Sequence, residues 1–365
     1  MPMRIKPLIS IAIILIIISS VSFTEASELT IRVLIYQGKE FSISGNSLEV
    51  SIKNGEQLFI KNSDRVDGRV NSSRLSIKII EGDKLNELSL DTSSTIDITG
   101  ENISVNGNNY RGSLRVIYRS NSVIIVNILP LEEYLYGVVP SEVPYYWSKE
   151  ALKAQAVLAR TFALKNIRNT PGKDYDLDDS QNSQVYRGKS GEYNETNEAV
   201  DLTRGEVVLY NNSLASVYFH STCGGHTELP ENVWKVEKFP YLNGVECGYC
   251  NDSPWTNWEI TVKRDAWEKT MGNGEMDIEY DGSGRILRLN GIDGTRMRSV
   301  FNLPSTLIIG IEVEEKDVLI KGKGLGHGVG VCQWGMKKMA ELGFSYRDII
   351  SYYLPGVTVD AYRGF

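Results

Sequence analysis

Residues 123–167 read VIIVNILPLEEYLYGVVPSEVPYYWSKEALKAQAVLARTFALKNI, and their character changes from strand to helix along the chain. An apolar strand, Val123–Val126, precedes a short helical turn at Leu131–Gly137. In the next segment, Val138–Pro144, two prolines bracket Glu142. Each proline lacks an amide hydrogen and disfavours α geometry in the residue before it, so the segment is predicted to be stiff and non-helical.

A long helix is predicted to follow, from about Lys149 to Ile167, with Ser148 as its N-cap. The stretch is rich in alanine and contains neither glycine nor proline, which favours a straight and rigid helix. Its notable polar members are Lys153, Gln155 and Arg160. Lys153 and Arg160 are separated by close to two turns, so we expect them to share a face.

The flanking sequence indicates an α+β fold. Residues 29–114 alternate polar and apolar side chains between Gly and Asn turns, which predicts a small all-β N-terminal region acting as a packing or wall-binding module. Residues 115–365 mix strands with helices but show no βαβ alternation. This second region is predicted to be a β-rich domain in two parts, with the long helix placed after the segment that carries Glu142.

The N-terminus resembles an export signal. Arg4 and Lys6 precede an apolar run, Leu8–Ile18, and small residues lead to a cleavage position after Ala26. Residues 1–26 are therefore predicted to be a cleaved signal peptide or a retained membrane anchor, and either one exports the rest of the chain. The net charge of -7, without a basic run in the exported part, argues against nucleic acid as a partner.

A group of cysteine and histidine residues indicates a second kind of site. Their spacing is Cys-x2-His, then Cys-x2-Cys about 20 residues later, which suits a closed tetrahedral zinc site. The predicted ligands are Cys223, His226, Cys247 and Cys250. His220 could replace His226, and an exported protein could instead join Cys223 to Cys247 or Cys250 in a disulfide. Zinc and disulfide remain equal alternatives. A closed zinc site of this kind would be structural, so no cofactor is required for chemistry.

Several long motifs, in order, resemble the signature of the SpoIID/LytB family. The resemblance covers about Arg115 to Val357. The motifs are Leu129–Pro144, Glu150–Ala163, Gln184–Tyr186, His220–Gly225 and Gly324–Gly335. The enzymatic members of this family are lytic transglycosylases that cut the glycan strands of peptidoglycan, and the resemblance implies that Glu142 is the catalytic residue.

Chemistry with one carboxyl group is physically reasonable here. An acid that protonates a glycosidic oxygen near neutral pH needs a raised pKa, which a partly desolvated site supplies. Most glycosidases need two carboxylates. A lytic transglycosylase can use one, because the 6-hydroxyl of the sugar attacks the anomeric carbon and forms a 1,6-anhydro end. Glu142 is expected to act first as the acid and then as the base.

The resemblance also implies a set of substrate-binding residues. Those expected to line the cleft are Lys153, Gln155 and Arg160, with Tyr186, His220 and Gln333 as further candidates. His327 is expected near the cleft, either as a structural histidine that bonds the glycine loop or as a substrate contact. Aromatic residues in position to stack on sugars are Tyr145, Tyr146, Trp147 and Trp255.

The expected partner is peptidoglycan, either intact or stripped of its stem peptides, in sporulation or in general wall remodelling. One alternative comes from another class of protein. The LytB branch of the family is described as a modifier of a wall amidase, so the chain could bind glycan and stimulate an amidase partner without cleaving. Retention of Glu142, Lys153 and Arg160 favours the enzyme.

Overall fold

The computed structural model describes residues 29–54, 57–71, 74–92, 94–119, 121–181, 183–234 and 236–362. The predicted export segment, residues 1–26, lies outside the described residues. Within the described ranges, no helix is long and apolar enough to cross a membrane. The protein mixes α and β structure and is rich in strands, in agreement with the predicted combination of the two.

A ten-stranded sheet is formed by the N-terminal part of the chain and one short later strand. Its strands are β1 (Thr30–Gly38), β2 (Glu40–Asn54), β3 (Gln57–Asn71), β4 (Arg74–Glu81), β5 (Lys84–Leu90), β6 (Thr95–Val105), β7 (Asn108–Tyr110), β8 (Ser113–Arg119), β9 (Ser122–Pro130) and β10 (Leu177–Asp178). The order is β10-β1-β9-β8-β6-β2-β3-β4-β5, with β7 beside β6. Apolar side chains on one side of β4, Leu75, Ile77 and Ile79, are buried in the core, as alternation along a strand requires.

This sheet crosses the predicted domain boundary between residues 114 and 115. β8 spans that position, and β9 leads from the sheet directly into the segment that carries Glu142. β10 comes from still later in the chain and pairs in parallel with β1. The N-terminal strands and the strand before Glu142 therefore share one sheet and one core.

Eight helices are present in the described residues. They are α1 (Leu131–Glu142), α2 (Lys149–Asn169), α3 (Asn194–Leu202), α4 (Pro230–Val233), α5 (Arg264–Met271), α6 (Gly294–Val300), α7 (Gln333–Glu341) and α8 (Tyr346–Tyr353). The long predicted helix is confirmed as α2, which begins at Lys149 and ends at Asn169. Small buried residues such as Ala154 and Ala159 let α1, α3, α7 and α8 pack around it.

The prediction that Glu142 lies on a non-helical segment was wrong. α1 continues through Pro140 and ends at Glu142. A proline in the last turn removes only one backbone hydrogen bond, and the following residues compensate for the loss. The hydroxyl of Ser141 donates to the carbonyl of Gly137 at 2.9 Å, and the amide of Val143 donates to Val139 at 3.1 Å.

The remaining strands form small sheets. They are β11 (Glu206–Tyr210), β12 (Ser213–Leu214), β13 (Phe219–His220), β14 (Trp258–Lys263), β15 (Ile278–Tyr280), β16 (Ile286–Leu289), β17 (Ile292–Asp293), β18 (Ile308–Val313), β19 (Asp317–Gly322), β20 (Val331–Cys332) and β21 (Thr358–Ala361). Residues between Trp258 and Ile320 bury a second, separate core. β13 and β20 pair in parallel, which brings His220 opposite Cys332.

Candidate active site

Glu142 is the last residue of α1, and its side chain is half-buried. Burial raises its pKa from 4.5 to about 7, and a hydrogen bond from the backbone N–H of Val185 opposes the rise. The position at the helix end acts in the same direction as burial, because the negative end of the helix dipole disfavours a carboxylate. Glu142 is therefore substantially protonated at neutral pH, as a general acid must be.

The amide of Val185 is held in place by the residue before it. The Tyr134 hydroxyl donates to the side-chain oxygen of Gln184 at 3.3 Å, and the side-chain nitrogen of Gln184 donates to the Ala159 carbonyl at 3.3 Å. Gln184 thus connects α1 to α2 and orients the amide that reaches Glu142. Sequence reasoning missed this contact, because a backbone N–H carries no residue identity.

Gln333 contacts the backbone of Glu142 and pairs with Gln155. The side-chain nitrogen of Gln333, at the start of α7, lies 3.4 Å from the Glu142 carbonyl and 3.4 Å from the side-chain oxygen of Gln155. Gln155 is fully buried, and its side-chain nitrogen has no partner among the described residues. The structure therefore brings Gln333 to the backbone of Glu142 and Gln155 to Gln333, and it leaves one buried donor on Gln155.

An open pocket of about 490 Å³ is lined by two neighbours of Glu142. Ser141 precedes Glu142 in the chain, and Val185 donates its backbone N–H to the Glu142 carboxyl group. Tyr186 lines it too, and its hydroxyl donates to the side-chain oxygen of Asn127 at 2.9 Å. A half-buried carboxyl group, Asp179, lies in the same pocket, and burial raises its pKa. The pocket is large enough to hold a small-molecule ligand.

Arg160 lies in the core and not beside Glu142. Its side chain is 1% exposed, and it donates to both carboxylate oxygens of Glu132 at 2.8 and 2.6 Å. It also donates to the carbonyls of Val200 and Glu206, each at 3.1 Å. Because these partners occupy its donors, we correct its assignment from a cleft residue to a connection between α1, α2, α3 and β11.

Lys153 lies where α2 meets α8. Its amino group is 2.8 Å from the Glu150 carboxylate and 5.5 Å from the centre of the Tyr346 ring. The other oxygen of Glu150 accepts the Tyr346 amide at 2.8 Å. Lys153 and Arg160, expected to share a face, thus have different environments, and Lys153 does not contribute to the pKa shift of Glu142.

Burial favours the neutral form of two histidines, His220 on β13 and His327 in the glycine loop. His220 is buried and donates through Nδ1 to the Val329 carbonyl at 3.0 Å, and burial holds its pKa well below the usual value. His327 accepts the Val329 amide at 3.0 Å, and burial lowers its pKa to about 4. His327 therefore bonds the backbone of its own glycine loop, which is the structural role given above as one alternative. Its ring packs on the ring of Trp234, with ring centres 4.8 Å apart.

Four buried cysteines form a cluster in which every sulfur lies within 4.8 Å of the others: Cys223, Cys247, Cys250 and Cys332. The predicted ligand set was therefore wrong in one member. His226 bonds the carbonyl of Thr227 instead, at 2.7 Å, and His220 is likewise not a member. Cys332 was missed because only the parallel pairing of β13 with β20 brings it near Cys223. The count of four cysteines in the sequence was the one signal that could have indicated a site made of all four.

The distances within this cluster suit a metal ion. Sulfurs at the corners of a zinc tetrahedron, with bonds of about 2.3 Å, lie about 3.8 Å apart. The sulfurs of Cys223 and Cys250 are 3.6 Å apart, and all four cysteines are free thiols. The cluster also connects to the active site through the chain, since Cys332 directly precedes Gln333 at the start of α7.

Comparisons with known proteins show similarity to stage II sporulation proteins. The SpoIID family model, described as stage II sporulation protein, matches residues 119–210. An uncharacterized protein of Brachyspira hyodysenteriae is 34% identical over 82% of this chain and 86% of its own length. Stage II sporulation protein D of Bacillus subtilis is 30% identical over 68% of this chain and 79% of its own length. The amidase enhancer of B. subtilis is 27% identical over 88% of this chain but 53% of its own length.

Proposed function

The chain belongs to the SpoIID family of stage II sporulation proteins, and we propose that it is an exported lytic transglycosylase of peptidoglycan. It would cleave the β-1,4 linkage between MurNAc and GlcNAc with Glu142 as the acid and base. The observation that carries this proposal is the half-buried carboxyl group at the end of α1, whose pKa is raised to about 7 and whose neighbours Ser141 and Val185 line an open pocket.

The reaction needs only one carboxyl group. Protonated Glu142 donates its proton to the glycosidic oxygen as the bond from that oxygen to C1 of MurNAc breaks. The 6-hydroxyl oxygen of the same MurNAc then bonds to C1, and its proton passes to the Glu142 carboxylate. One product ends in 1,6-anhydro-MurNAc, the other carries a free 4-hydroxyl on GlcNAc, and Glu142 is protonated again. The Val185 amide steadies the carboxylate between the two steps.

The test of this function is product analysis. Residues 29–365 are incubated with peptide-free glycan strands, and the products are identified by mass spectrometry. The proposal expects 1,6-anhydro-MurNAc ends. Ordinary reducing ends would instead indicate hydrolysis, and an absence of products from both peptide-free and intact glycan would contradict an enzymatic role.

The similarity to the amidase enhancer favours a second candidate function. In that alternative the chain binds glycan and stimulates a wall amidase without cutting the strand. The same preparation would then yield no new glycan ends but would increase the rate at which an added wall amidase releases stem peptides. Substitution of Glu142 would leave that stimulation unchanged.

Activity is predicted to fall as pH rises above neutrality. Glu142 must start each turnover protonated, and its pKa is about 7. We expect kcat/KM to be level below about pH 6 and to fall about tenfold for each pH unit well above 7. Initial rates on peptide-free glycan between pH 5 and pH 9 measure this profile. A rate that rises steadily from pH 6 to pH 9 would contradict an acid role.

We further propose that the four cysteines hold a structural zinc ion. Four thiolate ligands close a tetrahedral site, so the metal would stabilise the fold and leave no open position for chemistry. The cysteines connect β13, the loop before β14 and the start of α7. The cysteine cluster also contacts the region of the second core. The Arg285 guanidinium donates to the Cys223 carbonyl at 2.6 Å.

Removal of the metal is predicted to destabilise the protein. Treatment with a strong chelator should lower the thermal midpoint by several degrees or more, and added zinc should restore it. Cys332→Ser should produce a similar loss, whereas His226→Ala should bind zinc normally. Metal analysis should find one zinc per chain, and titration should show four thiols in the metal-free denatured protein. Two thiols or none would support the disulfide alternative.

A further inference from the structure

The pocket lined by Ser141 and Val185 is built from three distant parts of the chain. Asn108 and Tyr110, on β7 of the N-terminal sheet, form one wall. Arg187 and Tyr193, from the segment between β10 and α3, form another, and Ser141 of α1 closes the side next to the candidate acid. The N-terminal sheet therefore contributes directly to the cavity that a substrate of Glu142 would occupy.

The two walls are fastened to each other. The Asn109 amide donates to the Ser190 hydroxyl at 3.3 Å, and Arg111 pairs with both carboxylate oxygens of Glu192 at 2.6 and 2.8 Å. Gly188 has φ +60°, and a Cβ at that position would lie 2.4 Å from the Asn109 carbonyl oxygen. Only glycine permits such a close approach of two backbones, so the cavity is held in a fixed shape.

Three tyrosines extend the rim of this pocket. The rings of Tyr145 and Tyr193 stack in parallel, with centres 4.1 Å apart and planes inclined by 5°. Tyr146 contacts Tyr145 edge to face at 5.6 Å. The exposed fractions are 38% for Tyr145, 44% for Tyr193 and 72% for Tyr146. These three exposed aromatic rings offer an apolar surface that the protein's own core does not cover.

The chemistry of the pocket suits an amino sugar. A pyranose ring presents C–H groups on its faces, and its edges carry hydroxyl and acetamido groups. The tyrosine rings can cover a face, while Asn108, Asp179 and Arg187 supply both donors and acceptors at the edge. The cavity of about 490 Å³ lies within the range of roughly 300–1,000 Å³ in which proteins bind small ligands.

We propose that this pocket and its tyrosine rim form a sugar subsite of the glycan groove, and that β7 makes the N-terminal sheet part of the active site. The subsite holds one amino sugar of the strand next to the bond that is cleaved. This inference rests on the proposed function, since it takes glycan as the ligand. It replaces the expectation of a separate packing or wall-binding module over residues 29–114.

Binding by an inactive protein tests the subsite. In a Glu142→Gln background, the Kd for peptide-free glycan strands is measured by calorimetry, with Tyr193→Ala and Asn108→Ala added singly. We expect each to weaken binding, Tyr193→Ala by about tenfold or more. Tyr193→Phe keeps the ring and should bind within about twofold of the parent. Tyr280→Ala removes a tyrosine that is 54% exposed on the second core and serves as the matched control.

Thermal midpoints check that each variant is folded. Tyr146→Ala is added because the Tyr146 side chain is 72% exposed, so its removal should disturb the fold little. If Asn108→Ala, Tyr146→Ala and Tyr193→Ala all bind glycan like the parent, the subsite is wrong. That result is distinct from a failure of the proposed function, which would appear as an absence of anhydro ends with the wild-type protein. Weaker binding in the rim and β7 variants, with the control unchanged, supports the subsite in either case.

Discussion

Glu142→Gln is expected to reduce glycan cleavage by roughly 10²- to 10⁴-fold, the usual range for loss of a general acid. Glutamine matches the shape of a protonated glutamate but can neither give up a proton to the leaving oxygen nor accept one from the 6-hydroxyl. Because the Val185 amide and the pocket remain, glycan affinity should change little. The rate of appearance of new glycan ends, compared with the wild type at pH 6, measures the effect.

A second measurement shows that the variant is folded. The raised pKa means that ionised Glu142 is less favourable in the folded chain than in the unfolded chain. This group therefore contributes its full share of stability below pH 4.5 and loses it as pH rises through about 7. Glu142→Gln should match the wild type near pH 4 and melt at a higher temperature at pH 8. Glu133→Gln, on the same helix, should leave cleavage nearly unchanged.

Arg160→Ala is expected to destabilise the folded protein by about 3–5 kcal/mol, because it leaves the buried carboxylate of Glu132 without its positively charged partner. The Val200 and Glu206 carbonyls lose a donor in the same change. Urea unfolding followed by fluorescence measures the loss. Replacement of both charges, by Arg160→Met together with Glu132→Leu, should recover much of the stability, since an apolar pair leaves no buried charge.

The same variants separate a structural role from substrate binding. If Arg160 acts only through the fold, the doubly substituted protein should cleave glycan with a KM close to that of the wild type. Thermal inactivation of Arg160→Ala should account for its lost activity. A large increase in KM in a stable double variant would instead indicate that Arg160 binds substrate in the cleft.

The local features of the sequence predicted some elements well and others poorly. α2 was predictable because its alanines, its Ser148 N-cap and its lack of glycine all favour one helix. The end of α1 was not, because the cost of Pro140 depends on the bonds made by Ser141 and Val143 in the folded chain. The family resemblance named Gln155 and Gln333 separately as cleft residues, but their contact across 178 residues was not predicted.

Long-range contacts explain the remaining differences. In sequence, Arg160 looks like a groove residue, because it is a charged residue on a helix. Its burial depends on the ion pair with Glu132 of α1, which forms only in the folded chain. Cys332 joins the other cysteines through a parallel strand pair across more than a hundred residues. The role of β7 depends on contacts between Asn109 and the turn around Gly188, which no local pattern indicates.

One carboxyl group suffices for the proposed reaction because the sugar supplies its own nucleophile. Cleavage in water enriched in oxygen-18 tests this most directly, with mass spectrometry of every new end. We predict 1,6-anhydro-MurNAc ends without the heavy isotope, and ends of the same kind from Asp179→Asn, which removes the carboxyl group that lines the pocket. Reducing ends that carry oxygen-18 would contradict the proposal, because water would then be the nucleophile.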